Sequence, residues 1–195
     1  MAKYIIGYYD DSETSGGTTR YLLSLLRGLN REEFQPVFFA PVRRAWHEDV
    51  RALGAEIVTL SDSKPQRVTP GSTTVKYRRR VAMPSALAWA VGLGREVATL
   101  RRLFIQRRLD LPHSNNAGAE PAPIAARLAN VPRVIAIWHV DSTYDLLTRR
   151  SGWKYRLLEM TSMRALHHSI SVSEATARDW IHRADFADGP VSVSR

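Results

Sequence analysis

Four groups of residues have the types and spacing to do chemistry. The first is Asp10-Asp11-Ser12-Glu13-Thr14-Ser15-Gly16-Gly17-Thr18-Thr19-Arg20, which follows the apolar run Tyr4–Tyr9. Glycines at such a position let a bulky ligand approach the backbone. The free amides and dipole of a following helix then favour a phosphate. Gly16, Gly17 and Thr18 are therefore candidate phosphate contacts, although the glycine pair would equally serve as a tight turn. The second group is Trp138-His139-Val140-Asp141, where His139 closes an apolar run. An imidazole there suits proton handling or a hydrogen bond to a sugar hydroxyl, or it simply packs at a strand end. The third is Ser114-Asn115-Asn116; both asparagines can donate and accept towards hydroxyl-rich ligands, and both are ordinary turn residues. The fourth, Ser173-Glu174, reads by default as a helix cap.

Other site chemistries fail on the sequence. There is no P-loop, no G-x-S-x-G elbow and no H-E-x-x-H. The only G-x-G, Gly92-Leu93-Gly94, sits inside an expected helix, where packing explains it better than dinucleotide binding. The absence of Cys excludes disulfides, iron–sulfur clusters and thiol nucleophiles. A metal shared by His113 and His139 lacks supporting ligands at suitable spacing, so no metal is expected.

These residues need a scaffold, and the chain alternates short apolar runs with amphipathic stretches. That pattern predicts an α/β fold: a single Rossmann-like domain, mostly parallel sheet flanked by helices. Strands are expected at Tyr4–Tyr9, Gln35–Ala40, Glu56–Leu60, Leu111–Ser114, Arg133–His139 and His168–Val172. Helices are expected near Thr18–Asn30, Arg44–Leu53, Pro84–Arg108, Pro123–Ala129, Trp153–Ala165 and from Ser173 to His182. Gly54 is placed to close the second helix in a left-handed conformation. Trp89, Leu93, Val97, Leu100 and Phe104 form one stripe on the third. Residues 61–83 read as a long loop. The domain is expected over 1–183, with 184–195 a tail or truncated linker.

With 195 residues, 44% hydrophobic and 24% charged, the composition is globular. No signal peptide or membrane span is evident, so a soluble, cytoplasmic protein is expected. The net charge of +9 is local: Lys76–Arg108 holds nine basic residues and one acid, Glu96, leaving +1 for the remainder. A solvated helix face explains such a patch. Without interleaved aromatics or a reading motif it does not predict specific nucleic-acid binding.

Taken in order, Gly16-Gly17-x-x-Arg20, Asp110-Leu111-Pro112-His113-Ser114, Ala126 to Ile135, His139 and Ser171-Val172-Ser173-Glu174 resemble the N-terminal half of family 4 glycosyltransferases. The likeness covers about residues 3–182. It implies one half of a GT-B fold, in which two Rossmann-like domains face across a cleft and the N-terminal one mainly holds the acceptor. It implies that the loop of Gly16, Gly17 and Thr18 lies near the diphosphate of a nucleotide-sugar donor. It implies that His139 hydrogen-bonds the transferring sugar, with Asn115 and Asn116 towards the acceptor. Transfer would retain anomeric configuration and need no metal or other cofactor.

Two departures stand out. Pro112 replaces an apolar residue and is out of place in a central strand, beside His113 and Asn115. The donor-binding domain, with its Glu-x7-Glu motif and basic pair, is not found in the 195 residues. The chain alone is therefore expected to be inactive, working with a donor-binding domain or companion chain, or else serving as a non-catalytic binding module. Because family members often use lipid-linked acceptors, Arg78, Arg79, Arg80, Arg101 and Arg102 are candidate contacts for an anionic membrane surface at its inner face.

Overall fold

A computed structural model of the chain describes residues 3–12, 15–60, 85–115, 121–139, 153–184 and 191–193, without the side chains of 85, 155, 182–184 and 191. Seven strands form one wholly parallel sheet in the order β3-β2-β1-β4-β5-β6-β7. They are β1 Tyr4–Tyr9, β2 Phe34–Ala40, β3 Glu56–Thr59, β4 Leu111–Ser114, β5 Ile135–Trp138, β6 His168–Ser171 and β7 Val191–Val193. The helices are α1 Gly17–Gly28, α2 His47–Ala52, α3 Ser85–Arg107, α4 Pro121–Leu128, α5 Trp153–Arg164 and α6 Glu174–Ala184. Residues 61–83, and with them Arg78, Arg79 and Arg80, lie outside the described residues, as does Asn116.

Alternation along the strands sorts the core into two layers. Tyr8 and Phe38 point to the side where Leu22, Leu23 and Leu26 of α1 pack with Val50 of α2. Tyr9 and Phe39 point to the other, against Leu100 and Phe104 of α3 and Ala122, Ala125 and Ala126 of α4. Phe39 and Phe104 meet edge-on at 5.1 Å. The chain thus changes side between β1 and β4. A crevice opens at such a switch point, beyond the carboxyl ends of the strands.

Local chemistry sets the ends of the helices. Ser173 Oγ accepts the Thr176 N–H at 3.1 Å and caps α6. Gly54 follows α2 with φ +78, the left-handed conformation that glycine adopts without a Cβ clash. Asn130 does the same after α4, at φ 56.

Two expectations change. Pro112 is buried in the central strand after all, opposite Gly7 of β1, and pairing with β5 begins only at His113. Within 184–195, read as a tail, residues 191–193 add a seventh strand beside β6. Three residues, Val-Ser-Val, are too short to carry a readable period.

Candidate functional site

The loop after β1 and the end of β5 meet around Asp10. Asp10 is 1% exposed; its carboxylate accepts the Ser12 N–H at Oδ1 and Asn115 Nδ2 at Oδ2, both at 2.7 Å, while its backbone N–H donates to Phe39 O at 3.2 Å. Asn115 Nδ2 also donates to the Thr18 carbonyl at 3.2 Å, and its backbone N–H to Tyr9 O at 2.9 Å. One asparagine thereby ties β1, β4 and the start of α1 together. Asn115, expected to face an acceptor, is fully buried in this role; only its Oδ1 has no hydrogen-bond partner among the described residues.

His139 stands at the end of β5, half-buried, its ring edge-on to Tyr21 at 5.0 Å. Tyr21 lies in the second turn of α1, so the imidazole sits beside the N-terminal part of that helix. Its Nε2 is buried without a partner among the described residues. Burial holds its pKa below the ordinary value; the Asp10 charge and a hydrogen bond with the Asn115 backbone oppose that shift.

Among the described residues no side chain caps the start of that helix. Gly16 is the N-cap of α1 and offers no side-chain cap, so the first amides are left for other partners. Among the described residues a Cβ built on Gly16 or Gly17 meets nothing within 4 Å, and neither has a positive φ. Neither backbone strain nor crowding by the described residues calls for glycine here; the pair leaves the helix start without a side chain of its own over it.

Two further histidines, which sequence reasoning did not single out as a pair, flank this edge. His113 on β4 is 3% exposed and tilted on Tyr8 at 5.3 Å. His47 is fully buried; its Nδ1 accepts the Arg44 N–H at 3.1 Å, and its ring lies against Phe38 and Trp46. Burial pushes each down to about 4, with the neighbouring His139 adding to the effect at His113. An unfolded histidine titrates near 6.5. Folding therefore keeps both neutral over a range where the unfolded chain takes up protons. The stability this contributes is present above about pH 6.5 and drains away as pH falls towards 4. Unfolding free energy measured across that range should fall with pH, and His113→Phe should flatten the slope. Among the described residues no three His, Asp or Glu side chains come together to hold a metal.

Across the switch point, on the α3 side, a cavity of about 360 Å³ opens at the same edge of the sheet. Its polar groups are Tyr9, Asp11 and Glu96, and Tyr9 Oη donates to Glu96 Oε1 at 2.7 Å. Burial raises the Glu96 pKa, the hydrogen bond from Tyr9 opposes it, and Asp11 adds to it. The apolar stripe of α3 divides here: Leu100 and Phe104 enter the core, whereas Trp89 and Leu93 line the cavity. Gly92 also lines it, and neither Gly92 nor Gly94 has an atom within 4 Å of a built Cβ. The described residues thus make no close packing against these glycines, each of which weakens the helix by about 1 kcal/mol relative to alanine. The signal for Glu96 was its position as the sole acid of the basic span.

The basic patch is partly engaged. Arg107 pairs with Glu56 at 2.7 Å, and Arg101 Nε donates to the Leu128 carbonyl at 2.9 Å. Arg95, Arg102 and Arg108 are exposed. Among the described residues no helix is long and apolar enough to cross a membrane.

The fold is a Rossmann-like α/β domain with one wholly parallel sheet, like the domains of GT-B glycosyltransferases. The profile of Glycosyltransferase Family 4 matches residues 15–194, and the chain belongs to that family. Among solved structures it is similar to MurG of Acinetobacter baumannii (TM-score 0.57, 15% identity, covering 90% of this chain and 42% of that one). It is also similar to Anabaena Alr3699/HepE in complex with UDP-glucose (0.60, 15%, 97% and 43%). A third likeness is to UDP-GlcNAc 2-epimerase of Neisseria meningitidis bound to UDP-GlcNAc (0.59, 11%, 99% and 46%). The chain thus spans a little under half the length of these proteins, and at such identities the likeness is one of fold. No curated protein sequence matches it.

Proposed function

We propose that the chain is the acceptor-side domain of a retaining glycosyltransferase that moves a sugar from a nucleotide-sugar donor to an acceptor. The observation that carries this reading is that His139, whose Nε2 has no partner among the described residues, packs its ring on Tyr21 near the Gly16-Gly17 start of α1. The amides of Gly17 and Thr18, with the helix dipole, would hold the donor diphosphate. His139, whose pKa burial lowers, would then offer its Nε2 to a hydroxyl of the transferring sugar. Two HepE complexes hold UDP-glucose or UDP with glucose, which supports a donor of this class. The chemistry needs a donor-binding domain or companion chain and no metal. The exposed Arg102, together with Arg101 and the basic residues before α3, would rest on anionic headgroups at the cytoplasmic face of a membrane.

Gly17→Val tests the cradle. Because a Cβ there has open space, the fold should keep its stability within about 0.5 kcal/mol. In the complete enzyme the donor KM should rise about tenfold, the equivalent of about 1.4 kcal/mol of lost phosphate contact. Unchanged donor dependence would leave the glycines as a turn and favour the binding-module alternative.

A further inference from the structure

The hydrogen bonds around Asp10 reach as far as the imidazole of His139. Asn115 follows β4 and His139 follows β5, and these strands are neighbours in the sheet. A hydrogen bond joins the His139 ring to the Asn115 backbone, and it favours the protonated ring. The imidazole is therefore the donor and the Asn115 carbonyl the acceptor. Nε2 has no partner among the described residues, so the donating atom is Nδ1. A neutral imidazole carries one N–H, and with that proton directed at the carbonyl, Nε2 keeps a lone pair. The Tyr21 ring, edge-on to the imidazole at 72°, sets the plane in which the lone pair lies.

Asn115 is itself held at three points. Its backbone N–H donates to Tyr9 O at 2.9 Å, and its Nδ2 donates to the Thr18 carbonyl at 3.2 Å and to Asp10 Oδ2 at 2.7 Å. The other Asp10 oxygen, Oδ1, accepts the Ser12 N–H at 2.7 Å. Two donors thus converge on one side chain from either end, and only a carboxylate accepts at both. An asparagine at position 10 would satisfy Ser12 with its carbonyl and turn its own N–H groups against Asn115 Nδ2, a donor against a donor.

We infer that Asp10 and Asn115 are positioning residues for His139: Asp10 locks Asn115, whose carbonyl holds the imidazole in the Nδ1–H tautomer, so that Nε2 accepts a hydrogen bond from a substrate hydroxyl. That the hydroxyl belongs to the transferring sugar rests on the proposed function. The lone pair also divides the edge of the sheet, since it attracts an O–H group and repels phosphate oxygens, which are left to the amides of α1.

Two measurements test the inference. Long-range nitrogen–proton correlation spectra of the full chain, without nucleotide, should show His139 as the Nδ1–H tautomer, its signals assigned by their loss in His139→Ala. In Asp10→Asn the same ring should become a mixture of both tautomers. In the complete enzyme, assayed where each variant is folded, Asp10→Asn should lower kcat about tenfold and leave the donor KM unchanged. Combined with His139→Ala it should cost no further rate, although the melting temperature drops further, because Asp10 acts through the imidazole. An Nε2–H tautomer in the wild type, a tautomer that survives Asp10→Asn, an unchanged kcat in that variant, or rate losses that multiply to about 1000-fold in the double variant would overturn the inference. The spectra need no substrate, so the positioning and the proposed function can fail separately.

Discussion

Asp10→Ala is expected to destabilise the domain by about 3 kcal/mol, the sum of two hydrogen bonds to a charged acceptor. The carboxylate accepts from the Ser12 N–H and from Asn115 Nδ2, each at 2.7 Å, in a site only 1% exposed. Its removal leaves the buried amide of Asn115 with the Thr18 carbonyl alone, at 3.2 Å. Because Asn115 joins β4 to both β1 and the start of α1, the loss is not confined to a loop. A domain is typically stable by about 5–15 kcal/mol, so this single change takes a large share. The Asp10 charge also opposes the depression of the His47 and His139 pKa values, and without it both should fall further. Urea denaturation measures the first effect and NMR titration of the imidazoles the second. Asp10→Asn, which keeps one carbonyl oxygen for Ser12, should lose less stability than alanine.

That hub shows what a sequence conceals. Asp10 and Asn115 are 105 positions apart, and nothing local marks either as the other's partner. In isolation both read as loop formers at strand ends. The strands themselves were plain: Tyr4–Tyr9 and Leu111–Ser114 emerge with the expected bounds, because polar breakers end each run. The Arg133–His139 run shortens to Ile135–Trp138, which places His139 just past the strand, free of the ladder. Helix starts and ends moved by a few residues, as they depend on capping contacts more than on periodicity.

The α3 stripe illustrates a different limit. Trp89, Leu93, Leu100 and Phe104 share one period, yet two line a cavity and two fill the core. Periodicity reports which face a residue lies on; it does not report whether another element arrives to cover that face. Gly92 and Gly94 read as packing glycines because they lie inside a helix and not after a strand; among the described residues nothing comes within 4 Å of a Cβ built on either. Glu96, the lone acid among nine basic residues of the span, is the carboxylate that Tyr9 holds from 87 positions away, a pairing that no local pattern marks.

His139→Ala carries the other large effect, because its imidazole is the one side chain assigned to the reacting sugar. Its ring touches Tyr21 and its Nε2 has no protein partner among the described residues, so little of the fold depends on it. Truncation should cost about 1 kcal/mol, for the hydrogen bond with the Asn115 backbone. Catalysis is affected far more. A positioned hydrogen-bonding or proton-handling group of this kind typically contributes about 10²-fold or more. The loss should appear in kcat more than in donor KM, since the diphosphate is assigned to α1 and not to the histidine. His139→Gln, whose amide can still reach a hydroxyl, should recover part of the rate.

The direct measurement is the steady-state rate of sugar transfer by the complete enzyme carrying His139→Ala, at saturating nucleotide sugar, alongside its melting temperature. A rate about 100-fold below wild type, with a melting temperature lowered by only a few degrees, is the predicted result. An unchanged rate in the folded variant would contradict the assignment of this edge of the sheet to the transferring sugar.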